Sequence, residues 1–231
     1  GDHRDLHRLI RRQRQMCIRD SNGDVIMMTE GAGGGTITTT AIYNGMPEVA
    51  EHTINLSFLR AADALIESGL SSLVHAMTDV TNGGIRGDAE EICAASGIGM
   101  VMDEAKIRKL VHPAVLHMLE GLGIDYLGVS LDALLLIVPP SVVPDIEALM
   151  DDVGVRIDTI GRVDDGGSPR LIVDGREVDF SPKFRESAYT PIKKTVGEDA
   201  PAHVQSMMER VDEAARAAVA KKQDVIRLLK G

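Results

Sequence analysis

An α+β domain is what this 231-residue chain predicts. Short apolar runs of strand length alternate with segments of helical period over the first two thirds of the chain. Strand patterns then gather, and the last two are joined through Asp174-Gly175, a hairpin signal. Composition agrees: hydrophobic residues make up 44% of the chain, enough for a core. Aromatic residues make up only 3% and Trp is absent, so that core must be aliphatic and rich in methionine.

The same numbers exclude several function classes. No run approaches the roughly 18–20 apolar residues needed to cross a bilayer, so no membrane span is expected. Two distant cysteines, Cys17 and Cys93, form no disulfide framework and no metal cluster, and a reducing cytoplasm fits them. A net charge of -10 argues against a general nucleic-acid binder, because such a surface repels phosphate backbones. An acidic protein still binds ATP when Mg2+ bridges carboxylate and phosphate.

Residues 1–21 do not resemble the rest. Six arginines crowd a segment with little apolar periodicity, and the run from Arg12 to Ser21 reads as translated adapter read-through. On that reading the segment is non-native or disordered and the native N-terminal part is missing. The rival reading is a basic arm for RNA or lipid. Without the segment, 19 basic side chains face 32 acidic ones, so the body is more acidic than the whole.

Residues 22–180 then read as one domain. Gly23-Asp24 is a turn and Val25-Ile26-Met27-Met28 a buried strand. The run Gly31-Ala32-Gly33-Gly34-Gly35 follows, then Thr36, Thr38, Thr39 and Thr40. Glycines at a strand end let the backbone approach a ligand, and successive N–H groups there form an anion nest. A P-loop is excluded because no Gly-Lys-Ser/Thr ending is present. A flexible strand-to-helix loop is the plain alternative. Asn55 to Gly69 is a helix, capped by Asn55 and stopped by Gly69.

The organising stretch is Ser72 to Ser96. Leu73, Val74, Ala76 and Met77 make a run of buried-strand length. Thr78-Asp79-Val80-Thr81-Asn82-Gly83-Gly84 is a polar turn, and Ile85, Ala89, Ile92 and Cys93 recur at helical spacing. Unpaired N–H groups and the dipole at a helix start suit a phosphate. Asp79 can hold Mg2+ against that phosphate. Strand, Asn-Gly turn and helix also serve as a plain connection. His52 and His75, which flank the helix-strand unit, read as hydrogen-bonded structure rather than bases.

Farther on, Gly97–Met102 is a strand and His112–Leu122 a helix with Pro113 in its first turn. The five-residue spacing of His112 and His117 does not put both imidazoles on one face, so no zinc site is expected. Gly128 to Asp132 is a polar turn. Ala133 to Val138 is the most buried-looking strand, ended by Pro139-Pro140. Ser141–Asp152 is a helix, and Val155–Val163 and Arg170–Phe180 are strands. Residues 181–231 comprise an irregular linker and an amphipathic helix over Pro201–Leu229, expected to pack on its own domain because alanines at its seam weaken self-association, with a free coiled coil as the alternative.

The order of these pieces resembles the C-terminal domain of the AIR synthase superfamily. The likeness is carried by the opening Gly-Asp strand, the glycine loop and the run Val74-His75-Ala76-Met77-Thr78-Asp79-Val80-Thr81-Asn82-Gly83-Gly84. The strand Leu134–Pro140 and the run Ile160-Gly161-Arg162-Val163 are placed as in that family. The look is nearest to the hydrogenase-maturation dehydratase branch and to archaeal AIR synthase-related proteins. The resemblance implies a mixed sheet with helices packed on one face, in a homodimer of two-domain chains binding ATP and Mg2+ between domains. It implies ATP-dependent phosphotransfer or synthetase chemistry that activates the oxygen of a small-molecule substrate. Asp79 and Asn82 would be catalytic, with Asp79 on the metal. Gly33, Gly34, Gly35, Thr36, Thr81, Gly83 and Gly84 would line the nucleotide cleft. The dehydratase branch ends in a cysteine, whereas this chain ends Arg227-Leu228-Leu229-Lys230-Gly231. That difference argues against the dehydration role. The family's nucleotide-binding N-terminal domain is also missing, so a fragment inactive alone is expected, and a non-catalytic module for metalloenzyme assembly is the alternative.

Overall fold

The computed structural model describes residues 22–53, 55–81 and 83–182, and four helical, exposed positions farther on, Arg216, Ala220, Gln223 and Arg227. Residues 1–21, Asn82 and the rest of the expected C-terminal helix lie outside the described residues.

Seven strands form one mixed sheet. They are β1 (Val25–Thr29), β2 (Ala76–Asp79), β3 (Gly99–Asp103), β4 (Leu134–Val138), β5 (Ile157–Asp164), β6 (Pro169–Val173) and β7 (Arg176–Asp179). Their order across the sheet is β2-β4-β1-β5-β3-β6-β7, and every neighbouring pair is antiparallel except β3 with β6. Among residues 22–182 the described helices are α1 (Gly35–Tyr43), α2 (Pro47–His52), α3 (Ser57–Glu67), α4 (Gly84–Ser96), α5 (Glu104–Leu110), α6 (Pro113–Gly121) and α7 (Val143–Asp152).

The sequence of β4 explains the layering. Leu134 to Val138 are all buried, so both sides of that strand need cover. Leu135 and Ile137 join Ile26 and Met28 of β1 in a large cluster with Ile37 of α1, Ile85 and Ala89 of α4, Ile107 of α5 and Val115 of α6. Leu134, Leu136 and Val138 join Met27 in a smaller cluster with Ala61 and Leu65 of α3 and with Ile146 and Met150 of α7. The α+β class and the mixed sheet are as expected. Packing on one face alone is corrected, because α3 and α7 cover the second face. As the composition implied, methionines Met27, Met28, Met100, Met102, Met118 and Met150 are all within the core.

The strand expected from Leu73 is displaced. The run from Leu73 is not a buried strand: Leu70–Leu73 is a 3-10 turn with Leu73 47% exposed, and β2 starts only at Ala76. Gly69, at φ 78, ends α3 in the left-handed region, and the chain coils once before it can extend. β2 then lies at the sheet edge, paired only with β4, and all four of its residues are half-buried. At the opposite edge, β7 is formed by the exposed residues Arg176, Glu177, Val178 and Asp179, whose charges guard it. Asp174 and Gly175, both left-handed, make the turn into it.

No described helix is long and apolar enough to cross a membrane.

Candidate functional site

β1 and β2 are both antiparallel to β4, so their C-terminal ends and the start of β4 lie at one end of the sheet. Three segments meet there. The glycine arm 31–35 leaves β1 for α1, the turn 80–84 leaves β2 for α4, and the buried segment 127–133 leads into β4.

The third segment is the hub. Val80 N–H donates to Ala133 O at 2.8 Å, and Leu131 and Asp132 N–H both donate to Val80 O at 3.1 Å. Gly33 N–H donates to Leu131 O at 2.7 Å. A Cβ on Gly31 would lie 2.5 Å from Leu131 O, and one on Gly34 would overlap the Asp132 carboxylate. On the other side, Gly84 sits at φ 63, and its Cβ would lie 2.5 Å from Leu127 O and 2.6 Å from Val129 N. The two glycine motifs are thus laid against one piece of backbone, with no room for side chains at either contact.

Within each motif the glycines divide by environment. Gly33 and Gly34 are buried, whereas Gly35, the first residue of α1, is exposed, with nothing within 4 Å of its Cβ position. Gly83, at φ 102, caps α4 and is half-buried. Neither helix start has a side-chain cap or an acidic residue in its first turn. Among the described residues, the N–H groups of Gly35 and Thr36 in α1 and of Ile85 in α4 find no acceptor and suit an external one, whereas Gly84 N–H is already taken. Thr81 O accepts from Gly84 N–H at 3.0 Å and closes the turn. The hydroxyls of Thr38, Thr39 and Thr40 donate to carbonyls of Gly34, Gly35 and Thr36. Thr36 is half-buried at the helix start, and among the described residues its hydroxyl, unlike those of Thr38, Thr39 and Thr40, donates to no carbonyl.

The carboxylates are placed differently from the sequence reading. Asp79 is half-buried and opposes Leu134, so it shares the face of Leu134 and Leu136, covered by α3 and α7. α1 and α4 lie on the other face. The carboxylate against the glycine arm belongs to Asp132, which the sequence reading passed over as part of a polar turn. Asp132 adopts a left-handed φ of 49, and its Oδ1 accepts from Ser130 Oγ at 2.7 Å. Nothing in the residue pattern signalled this, because the contact is made by a backbone conformation that aspartate rarely takes. Asn82 lies outside the described residues.

Histidines border the glycine arm. His112 N–H donates to Gly31 O at 2.9 Å, and its Nδ1 accepts from Ala114 N–H at 3.3 Å, capping α6. Its ring stacks on His52 with centroids 4.0 Å apart. Burial, and next the neighbouring His52, hold the His112 pKa below its ordinary value, against the opposing pull of Glu30. At the far end of the sheet, His75 Nδ1 meets the buried carboxylate of Asp24 at 2.5 Å, the hydrogen-bonded arrangement expected of it. Among the described residues no group of three or more His, Cys, Asp or Glu is poised to hold a metal ion.

A strand-end glycine arm, a glycine turn at a helix start and a mixed seven-stranded sheet define the class. The AIR synthase related protein, C-terminal domain, matches residues 21–174, and the chain belongs to that family. Among relatives, protein MJ1416 of Methanocaldococcus jannaschii is 47% identical over 208 residues, which is 90% of this chain and 45% of that protein. Among solved structures, the hydrogenase maturation protein HypE of E. coli superposes with a TM-score of 0.53 at 21% identity, covering 71% of this chain and 50% of that one. HypE in complex with ATP superposes with a TM-score of 0.55 at 18% identity, over 69% and 50%. The chain thus spans about half the length of the relatives it matches.

Proposed function

We propose that this domain supplies the glycine-lined wall of an ATP site in a protein that transfers phosphate to, or otherwise activates, the oxygen of a small-molecule acceptor. The observation that carries it is the convergence of the arm 31–35 and the turn 80–84 on segment 127–133, which sets two uncapped helix starts at one end of the sheet. The ATP bound by a HypE structure of the same fold supports the ligand.

In this reading the N–H groups of Gly35 and Thr36, with those at the start of α4, receive phosphate oxygens, and Thr36 Oγ1 adds a donor. Such transfer depends on positioning and on neutralising phosphate charge, which backbone amides at helix starts provide. Gly33 and Gly84 act differently: they fix the arm and the turn on the hub. Magnesium would bring a Lewis acid to the phosphates. The carboxylate beside the arm is Asp132, whereas Asp79 leaves the edge strand on the other face. The described side chains do not assemble a metal site, and no step is routed through one.

Amide chemical shifts during titration of this chain with Mg-ATP test the reading. The resonances of Gly35, Thr36 and Ile85 should move. Gly35→Pro removes one donor at a helix position where proline is favoured. It should weaken binding about tenfold or more, as expected for a hydrogen bond to a charged group. Gly35→Ala keeps the N–H, crowds the approach with a methyl, and should weaken binding less. Shifts confined to other parts of the sheet would refute the site.

A further inference from the structure

The two faces of the sheet are not equally closed. The large cluster is roofed by five helices, whereas the smaller one is open along the side between α3 and the edge strand β2. Phe58, Ala62, Leu70 and Met77 pack against that cluster but stay half-buried, and Ile66 and Leu73 beside them are 40% and 47% exposed. β2 itself has a free edge whose one charged residue, Asp79, sits at its C-terminal end, whereas Arg176, Glu177 and Asp179 guard β7. This seam is an apolar surface that nothing among the described residues covers. The exposed Asp63 and Glu67 stand beyond Ile66 on α3.

We propose that the seam is the docking site of this chain's own C-terminal segment, residues 201–229. Arg216, Ala220, Gln223 and Arg227 are helical and exposed, and their spacing places them on one stripe of a helix. In the sequence, Val211, Ala218, Val225 and Leu229 fall at helical spacing on the stripe opposite those four, and this apolar stripe is the one laid into the seam. Lys221 and Lys222 flank that stripe, opposite in charge to Asp63 and Glu67.

The tether is long enough. The described chain leaves the sheet beside β7, six strand intervals from β2, a distance of about 29 Å at the usual strand spacing. Residues 183–200 can span up to about 60 Å when extended. A segment of the same chain is also present at high effective concentration, which favours it over any free partner.

The test uses the full chain with a photo-cross-linking phenylalanine analogue in place of Leu73, in a mixture of isotope-labelled and unlabelled protein. Cross-links from position 73 to peptides within 204–229 of the same chain are expected. Cross-links between labelled and unlabelled chains would replace the proposal with a dimer seam. Cross-links only to residues 22–182, or none, would overturn it. Hydrogen exchange gives an independent reading. Ile66→Glu, Leu73→Glu and Val225→Glu should each speed amide exchange in peptides covering 204–229 about tenfold or more, as expected when a docked element is released. Val178→Glu, on the guarded edge, should not. Unchanged exchange in all three variants would also overturn the proposal.

Discussion

Gly84 offers the sharpest test of how the site is held. Its φ of 63 is one that L side chains rarely adopt, and a Cβ there would meet three backbone atoms, Leu127 O at 2.5 Å, Val129 N at 2.6 Å and Gly128 C at 2.7 Å. Those atoms belong to a buried 3-10 turn, Tyr126–Gly128, and to Val129, so they cannot swing aside as a surface side chain would. The left-handed backbone costs alanine about 1–2 kcal/mol. Forcing the buried turn away adds about 1–3 kcal/mol, as for overpacked cores. Gly84→Ala should therefore lose about 3–4 kcal/mol, close to a 10 °C fall in Tm for a domain of this size. Gly83→Ala is the matched control. Its φ of 102 carries the backbone cost, but the nearest atom to its Cβ, Gly87 Cα, lies at 3.6 Å, so only about 1–2 kcal/mol should be lost. Urea unfolding of both variants measures the difference. Equal losses would mean that helix α4 does not rest on segment 127–129 as described.

Three further expectations concern the surroundings. The buried Thr29 Oγ1 accepts from Leu134 N–H at 2.9 Å, so the isosteric Thr29→Val should leave that N–H unpaired and cost about 1–3 kcal/mol in urea unfolding. The depressed His112 pKa means that the unfolded chain binds more protons, so stability should fall as pH drops below about 6.5 and level off below the folded pKa. His112→Asn keeps a capping oxygen and should flatten that part of a Tm-against-pH profile. Burial, with Glu90 next, raises the Cys93 thiol to about 11, so thiol reagents at pH 8 should label it only after unfolding.

Much of the fold was legible because its signals are local. β1 and β4 are unbroken apolar runs, α3 has Asn55 Oδ1 accepting from Ser57 N–H and Gly69 as its stop, and Asp174-Gly175 turns as such pairs do. The short helices α2 and α5, six and seven residues long, escaped because neither completes two turns of apolar period. Leu70–Leu73 was misjudged for a related reason: an apolar run of four does not say whether the chain is extended or coiled. The second helical layer follows from the burial of all of Leu134–Val138, yet that depends on which strands flank β4, which pairing decides and local sequence does not. For the site, the glycine arm and the Asn-Gly-Gly turn were visible, but the segment that joins them was not. Its contacts are made by main-chain atoms of residues with no shared motif.

That joining segment changes what the glycines mean. Gly84 is required by packing, since any side chain there would strike the backbone of residues 127–129; a side chain at Gly34 would have to push the Asp132 carboxylate aside, and Gly33 and Gly83 are favoured by their left-handed φ. None of these four needs a ligand to account for it. Gly35 is the exception. It has no left-handed φ, nothing lies near its Cβ position, and it occupies the first helical position of α1, where alanine would favour folding by up to about 1 kcal/mol. The fold gives no reason for glycine there, whereas close approach of a ligand to an uncapped helix start does. Gly35 is thus the glycine of the motif on which the proposed phosphate contact can be tested apart from packing, and a loss of Mg-ATP affinity with a gain in stability in Gly35→Ala is the signature that separates a binding glycine from a packing one.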